Sequence, residues 1–255
     1  MITTTRALVV ACWSGPRRCM DPRAVDDRAI YLKLQTHSLE NVPHSLDAIY
    51  FVDSAVPAPT PYEYYNYFHF KLPGNIEPLT RPNIGLSYGA FSDAYETFPD
   101  HDYYFFLEDD YIFTEPNWDS KMIEIMEKAE KDDKVETPPG RSVGCVTALI
   151  QGGPTHEHPP HGAISTCVFR GACLHQIFDK RGRLPHADTA DYLDSEIKGQ
   201  VALFDAIQSD TSYRMIDFQN HYRVPYYNAD SQTEWFYPYN LQHLFLPSVE
   251  IEHAS

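Results

Sequence analysis

The segment Asp102 to Leu107, Asp-Tyr-Tyr-Phe-Phe-Leu, runs without a break into Glu108-Asp109-Asp110. A short, unbroken run of apolar and aromatic residues suits a strand covered on both faces, as at the centre of a parallel sheet. Open α/β sheets hold ligands at the carboxyl ends of such strands, so the three carboxylates fall at the ligand edge. Adjacent carboxylates there repel one another and are costly without a cation. A hard, oxygen-seeking ion, Mg2+ or Mn2+, removes that cost and can bridge to diphosphate oxygens. The plainer alternative is a solvated acidic turn that caps the next helix.

The segments around this strand alternate in type. Ala7 to Trp13 is a second unbroken apolar run, ended by the turn Ser14-Gly15-Pro16. Arg23 to Leu39 carries Ala24, Ile30 and Leu34 among charges and reads as an amphipathic helix closed at Asn41-Val42-Pro43, and Asp47 to Asp53 reads as a strand. Strand, helix, strand is the opening of a nucleotide-binding half-sheet. Val56 to Pro61 reads as a loop, Tyr64 to Phe70 as a third strand, the Pro- and Gly-marked Leu72 to Asn83 as another loop, and Gly85 to Phe98 as a helix. Beyond the triplet the chain predicts a helix at Trp118 to Lys131, a strand at Ser142 to Ile150, a loop at Gly152 to Gly162 and a strand at Ile164 to Phe169. A helix at Ala190 to Ser209 and a strand at Arg214 to Phe218 follow, and the Tyr- and Pro-rich stretch from Tyr222 is expected to wrap the surface. The expected fold class is α/β, with a central, mostly parallel, Rossmann-like sheet flanked by helices. A single domain spans residues 1–255: about 1–115 for nucleotide and metal, about 116–255 for donor sugar and acceptor.

Charge narrows the partners. The net charge is −16, from 36 acidic and 20 basic side chains, so the summed field repels phosphate backbones and anionic lipid surfaces. No nucleic acid is expected as partner. An acidic protein that holds a nucleotide diphosphate needs a divalent cation or a local Arg to offset the repulsion. The five Cys, at 12, 19, 145, 167 and 173, form no CxxC pair and read as reduced thiols. The apolar run at the start of the chain is too short for a membrane span and lacks a small-residue cleavage site, which makes a cytoplasmic location the expectation.

Phe105-Phe106-Leu107-Glu108-Asp109-Asp110-Tyr111, preceded by Arg81-Pro82-Asn83-Ile84-Gly85-Leu86-Ser87-Tyr88-Gly89-Ala90 and a helix, resembles the GT-A glycosyltransferases. Their DxD-like signature likewise follows a run of apolar strand residues, and the match covers roughly residues 6 to 218. The resemblance implies sugar transfer from a nucleotide diphosphate sugar to a glycan or other hydroxyl acceptor, with Mn2+ or Mg2+ as cofactor. It makes Asp110 a metal ligand, with Glu108 and Asp109 on ribose or metal-bound water; Glu108 is also a candidate for the metal shell. The loop Cys12-Trp13-Ser14 matches the place that holds the nucleoside, and Asp53 the carboxylate that meets the base, a turn cap being the alternative. Arg81 could bring positive charge to the diphosphate. In Asp191-Tyr192-Leu193-Asp194-Ser195-Glu196, Asp194 is the first candidate for the base toward the acceptor and Glu196 the second; stabilisation of a helix N-terminus is the alternative. A late His completes the metal shell in some members, and His243 is the candidate taken, beside His221 and His253. The chain departs from the family in having Glu as the first acid and in reducing the Gly-rich acceptor motif to Arg170-Gly171-Ala172.

Two rival readings remain. A catalytically silent GT-A-like binding module keeps the fold without a base. His156-Glu157-His158-Pro159-Pro160-His161 has the spacing of a cupin-like metal site, but such folds are all-β, so the loop reads as an acceptor-side lid.

Overall fold

The computed structural model describes residues 4–12, 30–55, 75–109, 111–113, 116–131, 140–147, 150–151, 161–162, 166–217, 236–237 and 241–243. In chain order the strands are β1 (Arg6–Cys12), β2 (Ala48–Ala55), β3 (Asn75–Pro82), β4 (Tyr103–Glu108), β5 (Tyr111–Phe113), β6 (Ser142–Thr147), β7 (Ile150–Gln151), β8 (His161–Gly162), β9 (Thr166–Arg170), β10 (Tyr213–Asp217), β11 (Phe236–Tyr237) and β12 (Leu241–His243). The helices are α1 (Ile30–Asn41), α2 (Leu86–Thr97), α3 (Trp118–Lys131), α4 (Gly171–Arg181), α5 (Tyr192–Ser195) and α6 (Ala202–Asp210), the last two joined by a π-helical turn, Glu196–Val201.

Seven strands form the main sheet in the order β10-β6-β9-β4-β1-β2-β3. Every neighbouring pair is parallel except those of β9, which runs antiparallel to β4 and β6. The unbroken apolar runs are explained by cover on both faces. Leu8, Val10, Ile49, Phe51, Phe105 and Leu107 pack with Leu32 and Leu39 of α1 and Trp118 and Met126 of α3. Their neighbours Ala7, Val9, Tyr50, Val52, Tyr104 and Phe106 pack with Phe91 and Tyr95 of α2, Leu174 and Ile177 of α4, and Phe204 of α6. Phe106 stacks on Phe91 at 4.6 Å, and Phe105 meets Trp118 edge-on at 5.0 Å. Burying each such ring contributes about 2–3 kcal/mol, so β4 is the strand the fold can least spare.

Three expectations need correction. Residues 75–82 form a strand, not a loop: among the described residues β3 ends the strand order and pairs with β2, a place in the sheet that tolerates Pro78 and Pro82. Helix α4 follows Arg170 where only a reduced acceptor motif was read. Its signal was present, with Cys173, Leu174 and Ile177 buried on one side and Gly182 closing the end at φ 74°. The strand expected at Ser142 to Ile150 divides into β6, in the main sheet, and β7, which pairs with β8. The strand expected at Tyr64 to Phe70, the start of the first helix and most of the chain after Tyr222 lie outside the described residues; there, β11 and β12 extend β5 into a small antiparallel sheet.

At the amino end of the central strands, acids lace the chain together. Asp102 Oδ2 accepts from the Thr5 amide at 2.8 Å, Asp47 Oδ2 from the Arg6 amide at 2.8 Å, and fully buried Asp119 from Arg6 Nη1 at 2.6 Å and the Ser45 amide at 3.0 Å.

Candidate functional site

The carboxyl end of the sheet brings several of the expected residues to one edge. β1 and β4 place Ala11 opposite Glu108, and β1 and β2 place Cys12 opposite Asp53, which in turn faces Thr80 of β3. With strands about 4.8 Å apart, Glu108 and Asp53 flank the end of β1 about 10 Å from one another. Asp53, Cys12 and Asp109 are buried there. Asp110, Trp13 and Ser14 lie outside the described residues, as do His221 and His253.

Glu108 is held from two helices. The Gln35 side chain of α1 donates to its backbone carbonyl at 2.8 Å, and Ser87 Oγ, in the first turn of α2, donates to its carboxylate Oε1 at 2.6 Å. Sequence reading assigned nothing to Ser87 or Gln35. The signal for Ser87 was faint: a hydroxyl in the first turn of the helix that leads into the acidic strand.

Arg81 is used differently from the expectation. Its Nε donates to Asp93 at 2.6 Å, Nη1 to Ser54 Oγ at 3.3 Å and Nη2 to the Ile84 carbonyl at 2.6 Å, and the residue is buried. The guanidinium therefore ties β2, the turn after β3 and α2 to one another. It lies so close over Gly89 that a Cβ there would stand 2.4 Å from Nη2 and 2.0 Å from the Ile84 carbonyl oxygen, which explains glycine at that position.

The second half reaches the site through the turn before α2. Gly85 and Leu86 both adopt left-handed backbone, φ 71° and 49°. The Gly85 amide donates to the Thr189 carbonyl at 2.7 Å, and Ser195 Oγ donates to the Gly85 carbonyl at 3.0 Å. Tyr88 donates to Gln200 Oε1 at 2.7 Å, and Gln200 Nε2 to the Gly162 carbonyl at 2.8 Å. Gly199 of the π-helical turn leaves room for the Tyr88 ring, since a Cβ there would be 2.6 Å from it. Burial pushes the Tyr88 phenol well up, and Glu108, Cys167, Tyr192 and Glu196 push it further.

Asp194 has a local role. It sits in the first turn of α5, where Asp191 caps its amide at 2.9 Å, and its carboxylate meets Lys198 Nζ at 3.0 Å and Thr189 Oγ1 at 3.2 Å. Lys198 holds its carboxyl below the ordinary value, partial desolvation opposes this, and Thr189 adds to the lowering. His243 pairs with Tyr111 across β12 and β5, one residue past Asp110. His161, the last of the His-rich loop, is buried in β8, and the rest of that loop lies outside the described residues.

Among the described residues no three His, Cys, Asp or Glu side chains converge as a cation shell. Glu108 and Asp109 nonetheless offer the all-oxygen donors that Mg2+ or Mn2+ takes, and their chemistry fits a hard ion and not a thiophilic one. No helix among the described residues is long and apolar enough to cross a membrane.

No protein-family model matches the chain, and no curated protein matches it. Solved structures do. A Bacillus anthracis protein described as a glucose-1-phosphate thymidylyltransferase, in complex with sucrose, aligns over 84% of this chain and 87% of its own at 8% identity and a TM-score of 0.51. TarS of S. aureus aligns over 84% of this chain at 10% identity and a TM-score of 0.49; the chain spans 35% of TarS. The glycosyltransferase GlyE of Streptococcus pneumoniae TIGR4 aligns over 86% of this chain and 47% of its own at 14% identity and a TM-score of 0.43. The seven-stranded, mostly parallel sheet with helices on both faces is thus a GT-A-like, Rossmann-like fold.

Proposed function

We propose that the chain is a metal-dependent glycosyltransferase that moves a sugar from a nucleotide diphosphate donor to an acceptor hydroxyl. The observation that carries this reading is the carboxylate of Glu108, held by Ser87 at the carboxyl end of β4, with Cys12 and Asp53 at the ends of β1 and β2 in the same sheet. In this reading Asp110 and Glu108 hold the cation, with His243 brought to the neighbouring position by β12. Asp109 meets ribose or metal-bound water, Asp53 the base, and Cys12-Trp13-Ser14 the nucleoside. Bound Mn2+ or Mg2+ supplies positive charge to the departing diphosphate. Because Arg81 is engaged by Asp93, the offset of diphosphate charge rests chiefly on that cation.

The base is better assigned to Glu196 than to Asp194. Asp194 is tied to Lys198, whereas Glu196 opens the π-helical turn whose Gly199 packs against the Tyr88 ring. Its carboxylate takes the acceptor proton as the oxygen bonds the anomeric carbon, and the diphosphate leaves with the electrons of the broken bond.

A second reading is nucleotidyl transfer onto a sugar phosphate, favoured by the fold shared with the thymidylyltransferase. A thermal-shift screen of nucleotide sugars with and without Mn2+ tests the first point, since a ligand of the folded form raises its melting temperature. Stabilisation only with Mn2+ is expected, and equal stabilisation in EDTA overturns metal dependence. Product analysis then separates the readings: release of a nucleoside diphosphate supports glycosyl transfer, and release of pyrophosphate from a nucleoside triphosphate supports the second reading. Binding without any turnover identifies a silent module.

A further inference from the structure

We infer that Ser87 is a positioning residue for the donor site: its hydroxyl holds the Glu108 carboxylate in the orientation in which it receives a nucleoside diphosphate. The inference rests on the nucleotide reading above. The contact is short, 2.6 Å from Ser87 Oγ to Glu108 Oε1, and links residues far apart in sequence. A hydroxyl that donates to a carboxylate restricts its rotamers, so the order needed for binding is in place before the ligand arrives.

A serine in a first helical turn commonly caps the helix, but here that role is not what the hydroxyl does. The N-cap of α2 is Gly85, with no side-chain cap bond, and Ser87 donates across to β4. The backbone that aims it is also costly. Leu86, immediately before Ser87, is a non-glycine residue at φ 49°, a conformation that persists only where the surroundings over-determine it. Those surroundings are the two bonds to Gly85, from Ser195 Oγ and to the Thr189 carbonyl. Both come from the half of the chain that carries Glu196, so the turn that points Ser87 at Glu108 is set by the opposite half. Gln35 meanwhile donates to the Glu108 backbone carbonyl, so the main chain at the end of β4 is held as well.

The test is a double-mutant cycle read by calorimetry with UDP, GDP, CDP and dTDP, each with MnCl2, on the full chain. For whichever nucleotide the unmutated protein binds, Ser87→Ala is expected to weaken binding about tenfold, the scale of a lost charge-assisted hydrogen bond. Ser87→Thr, which keeps the hydroxyl, restores the affinity. Glu108→Gln weakens binding as well, and adding Ser87→Ala to it weakens binding little further, because the two act as one unit. Full affinity in Ser87→Ala, failure of Ser87→Thr to rescue, or losses that simply add in the double variant each overturn the positioning role while leaving the nucleotide reading intact. If none of the four nucleotides binds the unmutated protein, the nucleotide reading fails and this inference with it.

Discussion

The two ends of the central strands carry the same chemical group in different employment. At the amino end, Asp102, Asp47 and Asp119 accept from the Thr5 amide, the Arg6 amide and the Arg6 guanidinium, and each bond joins β1 to a neighbouring element. At the carboxyl end, Glu108 accepts from a serine hydroxyl on a helix whose entry turn is set by the other half of the chain. The acids at the amino end bind β1 to the segments beside it, whereas the acid at the carboxyl end ties its strand to the helix that enters from the sheet's ligand edge. In a chain with 36 acidic residues, position in the fold separates the two groups and residue type does not.

The comparison breaks first if the carboxyl end binds nothing. Asp110→Asn is expected to weaken nucleotide diphosphate binding in Mn2+ roughly 10²-fold and to lower turnover as well, the scale of several kcal/mol of lost charge stabilisation. Calorimetry with and without EDTA checks this, and equal affinity in both would remove the metal from the site. Glu196→Gln should lower kcat by about 10²-fold while donor affinity stays near the parent value, the pattern of a lost general base; a parent rate returns the role to Asp194.

At the amino end the expected losses are of stability alone. Asp119→Ala removes one partner of a buried ion pair and should cost about 3 kcal/mol, read from the urea midpoint, with nucleotide affinity of the folded protein unchanged. A change in affinity there would mean that the two ends are coupled. A smaller effect follows from His44 and His101, both lowered from 6.5 chiefly by burial. Above 6.5 both states are neutral and the contribution is complete. As pH falls below 6.5, the unfolded chain takes up protons before the folded one does, so stability declines until the lowered folded values are passed. Urea midpoints at about pH 7.5 and about pH 5.5 should differ in that direction, and less so in His44→Asn. Asp194→Asn should do least: it loses an exposed pair with Lys198, and its melting temperature and turnover should both remain close to the parent values.

The legible parts of the site were those carried by neighbours in sequence. Tyr103 to Leu107 is apolar on every residue because both faces of β4 are covered, and Glu108 to Asp110 must then follow at the strand's open end. Asp53 and Cys12 were legible for the same reason, each lying at the end of an apolar run. The contacts of Arg81 were not, because they depend on Asp93, 12 residues on in α2.

By itself, then, the sequence determined which segments are buried strands, that helices alternate with them, and where one run of acids must fall, because burial and periodicity are written residue by residue. Only the tertiary structure decided that a proline-bearing segment is a strand beside β2, that Ser87 meets Glu108, and that Tyr88 meets Gln200 across 112 residues. A strand's place is defined by the neighbour it pairs with, and a hydrogen bond by the distance between two side chains, and both are properties of the folded arrangement.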